Sequence, residues 1–88
     1  MKTAFTASFE KDLRRIADRH IRASVSEAIL EVEAARRPGE IRGLKKLRAG
    51  GDYFRLRIGD YRVGLTIEDE VVKFVRLLHR REIYRYFP

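Results

Sequence analysis

The sequence predicts an α+β fold: an N-terminal strand, a two-helix hairpin and a three-stranded antiparallel meander, with the helices packed on one face of the sheet. Three observations carry this reading. Apolar residues recur at three- and four-residue steps in the first half of the chain. They alternate one-on, one-off in the second half. Between two of the alternating runs sits Gly59-Asp60, a pair suited to a tight hairpin turn. At 88 residues the chain is expected to form a single domain over 1–88, long enough for one hydrophobic core.

Residues 2–7 contain Phe5 and two threonines and read as a short edge strand. From Ser8, a candidate N-cap, the residues Phe9, Leu13, Ile16 and Ala17 make an amphipathic stripe. Ser24-Val25-Ser26-Glu27 has capping-box spacing and is expected to open a second helix, with Val25, Ala28, Ile29 and Val32 as its apolar stripe and Pro38-Gly39 as its end. A break near His20 makes a helix hairpin. One long bent helix over 8–37 is the alternative, since no Gly or Pro occurs at 18–24. Residues 38–52 read as a basic connection carrying Lys45, Lys46 and Arg48 into the hairpin. Val71 to Leu78 is apolar on both faces apart from Lys73 and Arg76, as an interior strand should be. The segment from His79 to Pro88 reads as a strand end and a short helical turn.

Composition narrows the chemistry. There is no cysteine, so disulfides and thiolate metal sites are excluded. No metal-ligand spacing and no glycine-rich nucleotide loop is present, so neither a metal nor a small-molecule cofactor is expected. No apolar run approaches the roughly 20 residues that span a bilayer, so no membrane partner is expected and the expected location is cytoplasmic. The net charge of +7 is segregated. Residues 42–62 hold seven basic against two acidic residues, and residues 76–88 hold four against one, including Arg80, Arg81 and Arg85. A sheet that joins these segments carries a concentrated positive patch suited to a polyanion, RNA or DNA before an acidic protein.

Strand alternation sharpens the patch. Phe54, Leu56 and Ile58 share one face of the first hairpin strand, while Tyr53, Arg55 and Arg57 share the other. In the return strand Tyr61, Val63, Leu65 and Ile67 fall together, with Arg62, Gly64 and Thr66 opposite. Burying the apolar sets leaves Arg55, Arg57 and Arg62 together on an open face, either as a phosphate receptor or as a solvated surface. With His79, Tyr84 and Tyr86 nearby in sequence, the inventory is that of a metal-free phosphodiester reaction in which RNA supplies its own 2′-OH nucleophile. The protein would position the backbone, neutralise charge and move protons.

The segments Leu44-Lys45, Tyr53 to Val63, Val72-Lys73-Phe74-Val75 and His79-Arg80-Arg81-Glu82-Ile83-Tyr84-Arg85 together resemble the RelE/ParE superfamily of type II toxins. The likeness is strongest over residues 44–85 and closer to the RelE branch. It implies a RelE-like microbial RNase fold, cleavage of mRNA on the ribosome, inhibition of translation, and silencing by a cognate antitoxin. It also implies site roles: Arg55 and Arg57 match basic strand positions that are lysines in the best-known members, Arg62 matches the arginine after the hairpin tyrosine, and Arg81 that of the closing motif. Tyr84 or Tyr86 matches the closing tyrosine. Arginine cannot release its proton at cellular pH, so the lysine-to-arginine change leaves the acceptor of the 2′-OH proton open. His79, Tyr84, Tyr86, Lys45 and Lys46 are the candidates for proton exchange, His79 first as base because histidine exchanges protons near neutrality. The alternative implied by the same superfamily is a ParE-like toxin that inhibits DNA gyrase by binding alone.

Overall fold

The computed structural model describes residues 1–48 and 50–88; Ala49, in the expected basic connection, lies outside the described residues. In chain order the elements are β1 (Lys2–Phe5), α1 (Ala7–Arg14), α2 (Arg19–Ala34), a 3-10 turn (Pro38–Glu40), β2 (Leu44–Lys46), β3 (Tyr53–Ile58), β4 (Tyr61–Glu68), β5 (Val71–His79) and a short α3 (Ile83–Tyr86). They form one five-stranded sheet in the order β1-β5-β4-β3-β2. β1 runs parallel to β5, and every other pair is antiparallel.

The cap of the first helix lies two residues earlier than expected. Thr6, not Ser8, accepts from the Phe9 N–H through its hydroxyl oxygen. The same hydroxyl donates to the Val75 carbonyl at 2.7 Å, tying the helix start to the sheet. The helices do break, but at residues 15–18 rather than at His20. Asp18 caps α2, accepting from the His20 and Ile21 N–H groups. Ser24-Val25-Ser26-Glu27 therefore lies inside α2 rather than at its start. The break needs no Gly or Pro because Arg22, one turn into α2, donates to the Leu13 and Ile16 carbonyls at 2.8 and 3.1 Å. The Leu13 carbonyl, which also accepts from the Ile16 N–H at 3.1 Å, and the Ile16 carbonyl in the break itself are thereby tied to the first turn of α2. α2 ends at Ala34, three residues short of the expected 37, with Arg37 extended ahead of Pro38.

The core lies between the helices and one face of the sheet. Phe9, Ile16, Val25, Ala28 and Val32 from the helical side meet Leu56, Ile58, Val63, Leu65, Val72, Phe74 and Leu77 from the sheet. Ala17, expected in the helical stripe, is exposed. Two further departures shape the opposite face. Leu44–Lys46, read as connection, is a fourth antiparallel strand paired with β3. A bulge between Gly64 and Leu65 shifts the β4–β5 register, so that Leu65 pairs with Phe74 but Gly64 with Arg76. Strand alternation alone would send Lys73 and Arg76 to opposite faces. The extra residue, Val75, puts both on the face away from the helices.

Candidate functional site: a cationic sheet face

Cross-strand partners share a face, so the register lays out the surface opposite the helices row by row. One row runs Lys45, Arg55, Gly64, Arg76, and the next runs Arg57, Arg62, Leu78. Arg55, Arg57 and Arg62 therefore stand together, as alternation requires.

Two of the three are held by backbone carbonyls. Arg55 Nη1 donates to the Gly43 carbonyl at 3.0 Å. Arg62 Nη1 donates to the Gly59 and Tyr61 carbonyls at 2.8 and 2.9 Å. The Gly59-Asp60 turn that closes the hairpin thus also orients an arginine, with Gly59 at φ +55°. Burial, then the charges of Arg55 and Arg57, lower the proton affinity of the Arg62 guanidinium; Tyr84 opposes the shift, and Arg80 adds to it. Like charges so close repel in the absence of an anion, and that repulsion is relieved when a phosphate sits among them.

The face is not wholly open. α3 folds back over its middle, and Phe87, just after α3, rests on Gly64, where a β-carbon would lie 2.5 Å from the ring. Tyr53 meets that ring edge-on at 5.7 Å between centroids. Beside it Arg76 is clamped. Its Nε and Nη2 donate to Asp12 of α1 at 2.8 and 3.2 Å, and its guanidinium lies 5.5 Å from the Tyr86 ring centroid. The hydrogen bond to Asp12 raises Arg76 from its ordinary value against the effect of burial. Asp12 also accepts from the Leu77 N–H at 3.0 Å. It thereby caps the stretch of β5 that lies beyond the β1 partners, which end at Phe74.

The remaining expected residues divide. Tyr84 is exposed and close enough to Arg62 to bear on its charge. Tyr86 is held by Arg76. Arg80, whose N–H donates to the Asp60 carbonyl at 2.8 Å, is the closing-segment arginine felt at Arg62. Arg81, expected in that role, is exposed, and its backbone N–H donates to His79 Nδ1 at 3.2 Å. His79 pairs with Tyr61, and their rings stand edge-on at 5.7 Å. Tyr61 packs against the helical core, so His79 lies on the helical face, across the sheet from the arginines. Strand parity rules against it as a base for chemistry on the arginine face. Lys46 pairs with Phe54 and also faces the helical side; Arg48 and Arg85 are exposed. Sequence reasoning missed Asp12, Arg76 and the seat of Phe87. A glycine in mid-strand, Gly64, was the available signal for the last, since it marks a close approach.

A family model described as the ParE toxin of type II toxin-antitoxin systems matches residues 4–84. Toxin RelE3 of Methanocaldococcus jannaschii is 35% identical over 89 residues, covering 100% of both chains. The toxin–antitoxin complex RelB-RelE from Methanococcus jannaschii contains a chain 33% identical, with a TM-score of 0.82, covering 97% of this chain and 99% of that one. The complex RelBE2 from Mycobacterium tuberculosis contains one 32% identical, with a TM-score of 0.70, covering 90% and 96%.

Proposed function

This chain belongs to the RelE/ParE superfamily of type II toxins, and from that premise we propose that it is a ribosome-dependent endoribonuclease that cuts mRNA and stops translation. The observation that carries the reading is the arginine cluster. Arg55 and Arg62 are fixed by backbone carbonyls, Arg57 is the exposed cross-strand partner of Arg62, and Tyr84 stands close enough to bear on the charge of Arg62.

In the proposed reaction the 2′-oxygen of the substrate attacks the adjacent phosphorus in line, and the bond to the 5′-oxygen breaks. The proton leaves the 2′-OH as that bond forms, and the departing 5′-oxygen gains one. Arg55, Arg57 and Arg62 stabilise the negative charge that builds on the non-bridging oxygens. Proton exchange falls to groups on this face, Tyr84, Tyr86 and Lys45, because His79 and Lys46 face the helices. Tyr84 is assigned the proton delivered to the 5′-oxygen. Lys45, beside Arg55 across the edge strand, together with the exposed Arg48, Arg80 and Arg85, guides the RNA backbone. Arg81 is exposed and adds a further cation for the RNA.

The ribosome supplies what a chain of this size lacks, a substrate held in line before it meets the cations. The partners are thus the ribosome, mRNA and a cognate antitoxin that covers the cationic face, and the site of action is the cytoplasm. No described helix is long and apolar enough to cross a membrane. The test is an in vitro translation reaction with the mRNA 5′ ends mapped, beside the same transcript without ribosomes. New ends only on translated message are expected; equal cutting of naked RNA overturns ribosome dependence.

Two observations favour a second reading. The matching family model is that of ParE, and arginines at 55 and 57 offer no base. A toxin that inhibits DNA gyrase by binding alone would cut no message and would block supercoiling in a parallel gyrase assay.

A further inference from the structure

Phe87 is 3% exposed and Ile83 is fully buried, yet neither belongs to the core cluster under the helices. They bury a small second site on the opposite face of the sheet. Its floor is Gly64: a β-carbon there would fall 2.5, 2.6 and 2.7 Å from three atoms of the Phe87 ring, closer than side chains pack. Its wall is Tyr53, edge-on to the same ring. The Phe87 N–H donates to the Ile83 carbonyl at 2.8 Å, so ring and helical turn are one unit. Tyr84 sits between these two anchors and is itself 61% exposed. Its own side chain is not packed in place, so its location follows from residues 83 and 87.

We propose that Phe87, seated in the gap left by Gly64, is a positioning residue that holds Tyr84 over the arginine rows and makes that face competent for RNA. The inference rests on the endoribonuclease reading for what Tyr84 does, but the socket itself is a property of the fold. Gly64 lies in the row Lys45, Arg55, Gly64, Arg76, where any side chain would evict the ring. Its absent side chain lets a turn made locally at residues 83–86 reach across the cationic surface.

The test uses the whole chain with Phe87→Ala, Gly64→Ala, the two combined, and Tyr84→Phe in the wild-type and Phe87→Ala backgrounds. Cleavage is measured on programmed ribosomes, and backbone hydrogen exchange is measured in parallel. Phe87→Ala is expected to slow cleavage about 10²-fold, the scale of misplacing a reacting group by about an ångström. Amides of residues 83–87 should exchange about tenfold faster or more, while those of β3–β5 keep their protection. Tyr84→Phe should add no further loss in the Phe87→Ala background. The double variant should recover the thermal stability lost in Gly64→Ala, because the ring that clashes is gone, and yet remain slow.

Wild-type cleavage by a folded Phe87→Ala protein overturns the proposal. So does a full Tyr84→Phe effect in the Phe87→Ala background. If the wild type itself cuts no message, the endoribonuclease reading fails alone. Exchange then decides the socket: unchanged protection at 83–87 in Phe87→Ala overturns it, and selective loss there upholds it.

Discussion

Asp12 and Arg76 are joined across the sheet edge: Asp12, 5% exposed, accepts from Arg76 Nε at 2.8 Å and from the Leu77 N–H at 3.0 Å through the same oxygen. One carboxylate thus completes the β5 edge, docks α1 and fixes the arginine that lies against Tyr86.

Asp12→Ala removes all of these and leaves a half-buried guanidinium and a buried N–H without their partner. The expected cost is about 2–4 kcal/mol. Asp12→Asn keeps an acceptor for Leu77 and should lose about half as much. Urea unfolding followed by circular dichroism measures both. Equal losses in the two variants would mean that the ion pair, not the edge hydrogen bond, dominates.

Arg62 is expected to work against stability. Its proton affinity is lowered in the fold, so the charged form is penalised at every pH below that lowered value, which includes all physiological pH. The penalty disappears only in strong base, as pH rises past the unfolded value. Arg62→Gln is therefore expected to keep or raise the melting temperature while cleavage on ribosomes falls about 10²–10³-fold. A fall in melting temperature beyond about 4 °C would show that the lost bonds to Gly59 and Tyr61 outweigh the relieved burial of charge and repulsion.

His79 offers a negative control with a definite outcome. Because it pairs with Tyr61 on the helical side, His79→Gln should leave the rate on ribosomes and its profile from about pH 5.5 to about pH 9 unchanged. An inflection present in the wild type and lost in the variant would bring His79 back to the chemistry.

Contacts to RNA should be counted by salt. Affinity for a single-stranded oligonucleotide, measured by fluorescence anisotropy, is expected to fall steeply as NaCl is raised. Arg57→Ala should reduce the log–log slope by about 0.7, one phosphate contact. An unaltered slope would remove Arg57 from the backbone path.

The β4–β5 turn holds Asp69 at φ 49° and Glu70 at φ 66°, both in the left-handed region that glycine tolerates best. Glu70→Gly should stabilise the fold by about 1 kcal/mol, seen as a higher urea midpoint at constant slope. The turn is at the far end of β4 from Arg62, so the rate of cleavage should not change.

What the sequence determined by itself is whatever depends on short repeats. Period-two alternation in β3 and β4 put Arg55, Arg57 and Arg62 on one face, because two residues of an extended chain return the side chain to the same side. Period-three-and-four spacing marked the helices, and Gly59-Asp60 the turn. The cationic face was therefore legible. The tertiary structure decided whatever depends on a partner distant in the chain. The bulge at Gly64/Leu65 moved Arg76 to the arginine face, and a pairing with β3 turned Leu44–Lys46 from connection into strand. The parity of β5 against β4 carried His79 away from the arginines. Asp18 and Arg22 moved the helix break upstream of His20, since Asp18 caps α2 and Arg22, one turn into α2, donates back to the carbonyls of Leu13 and Ile16. Phe87 on Gly64 has no local signature beyond a glycine in mid-strand. A contact between residues so far apart is chosen by what the whole sheet leaves unfilled.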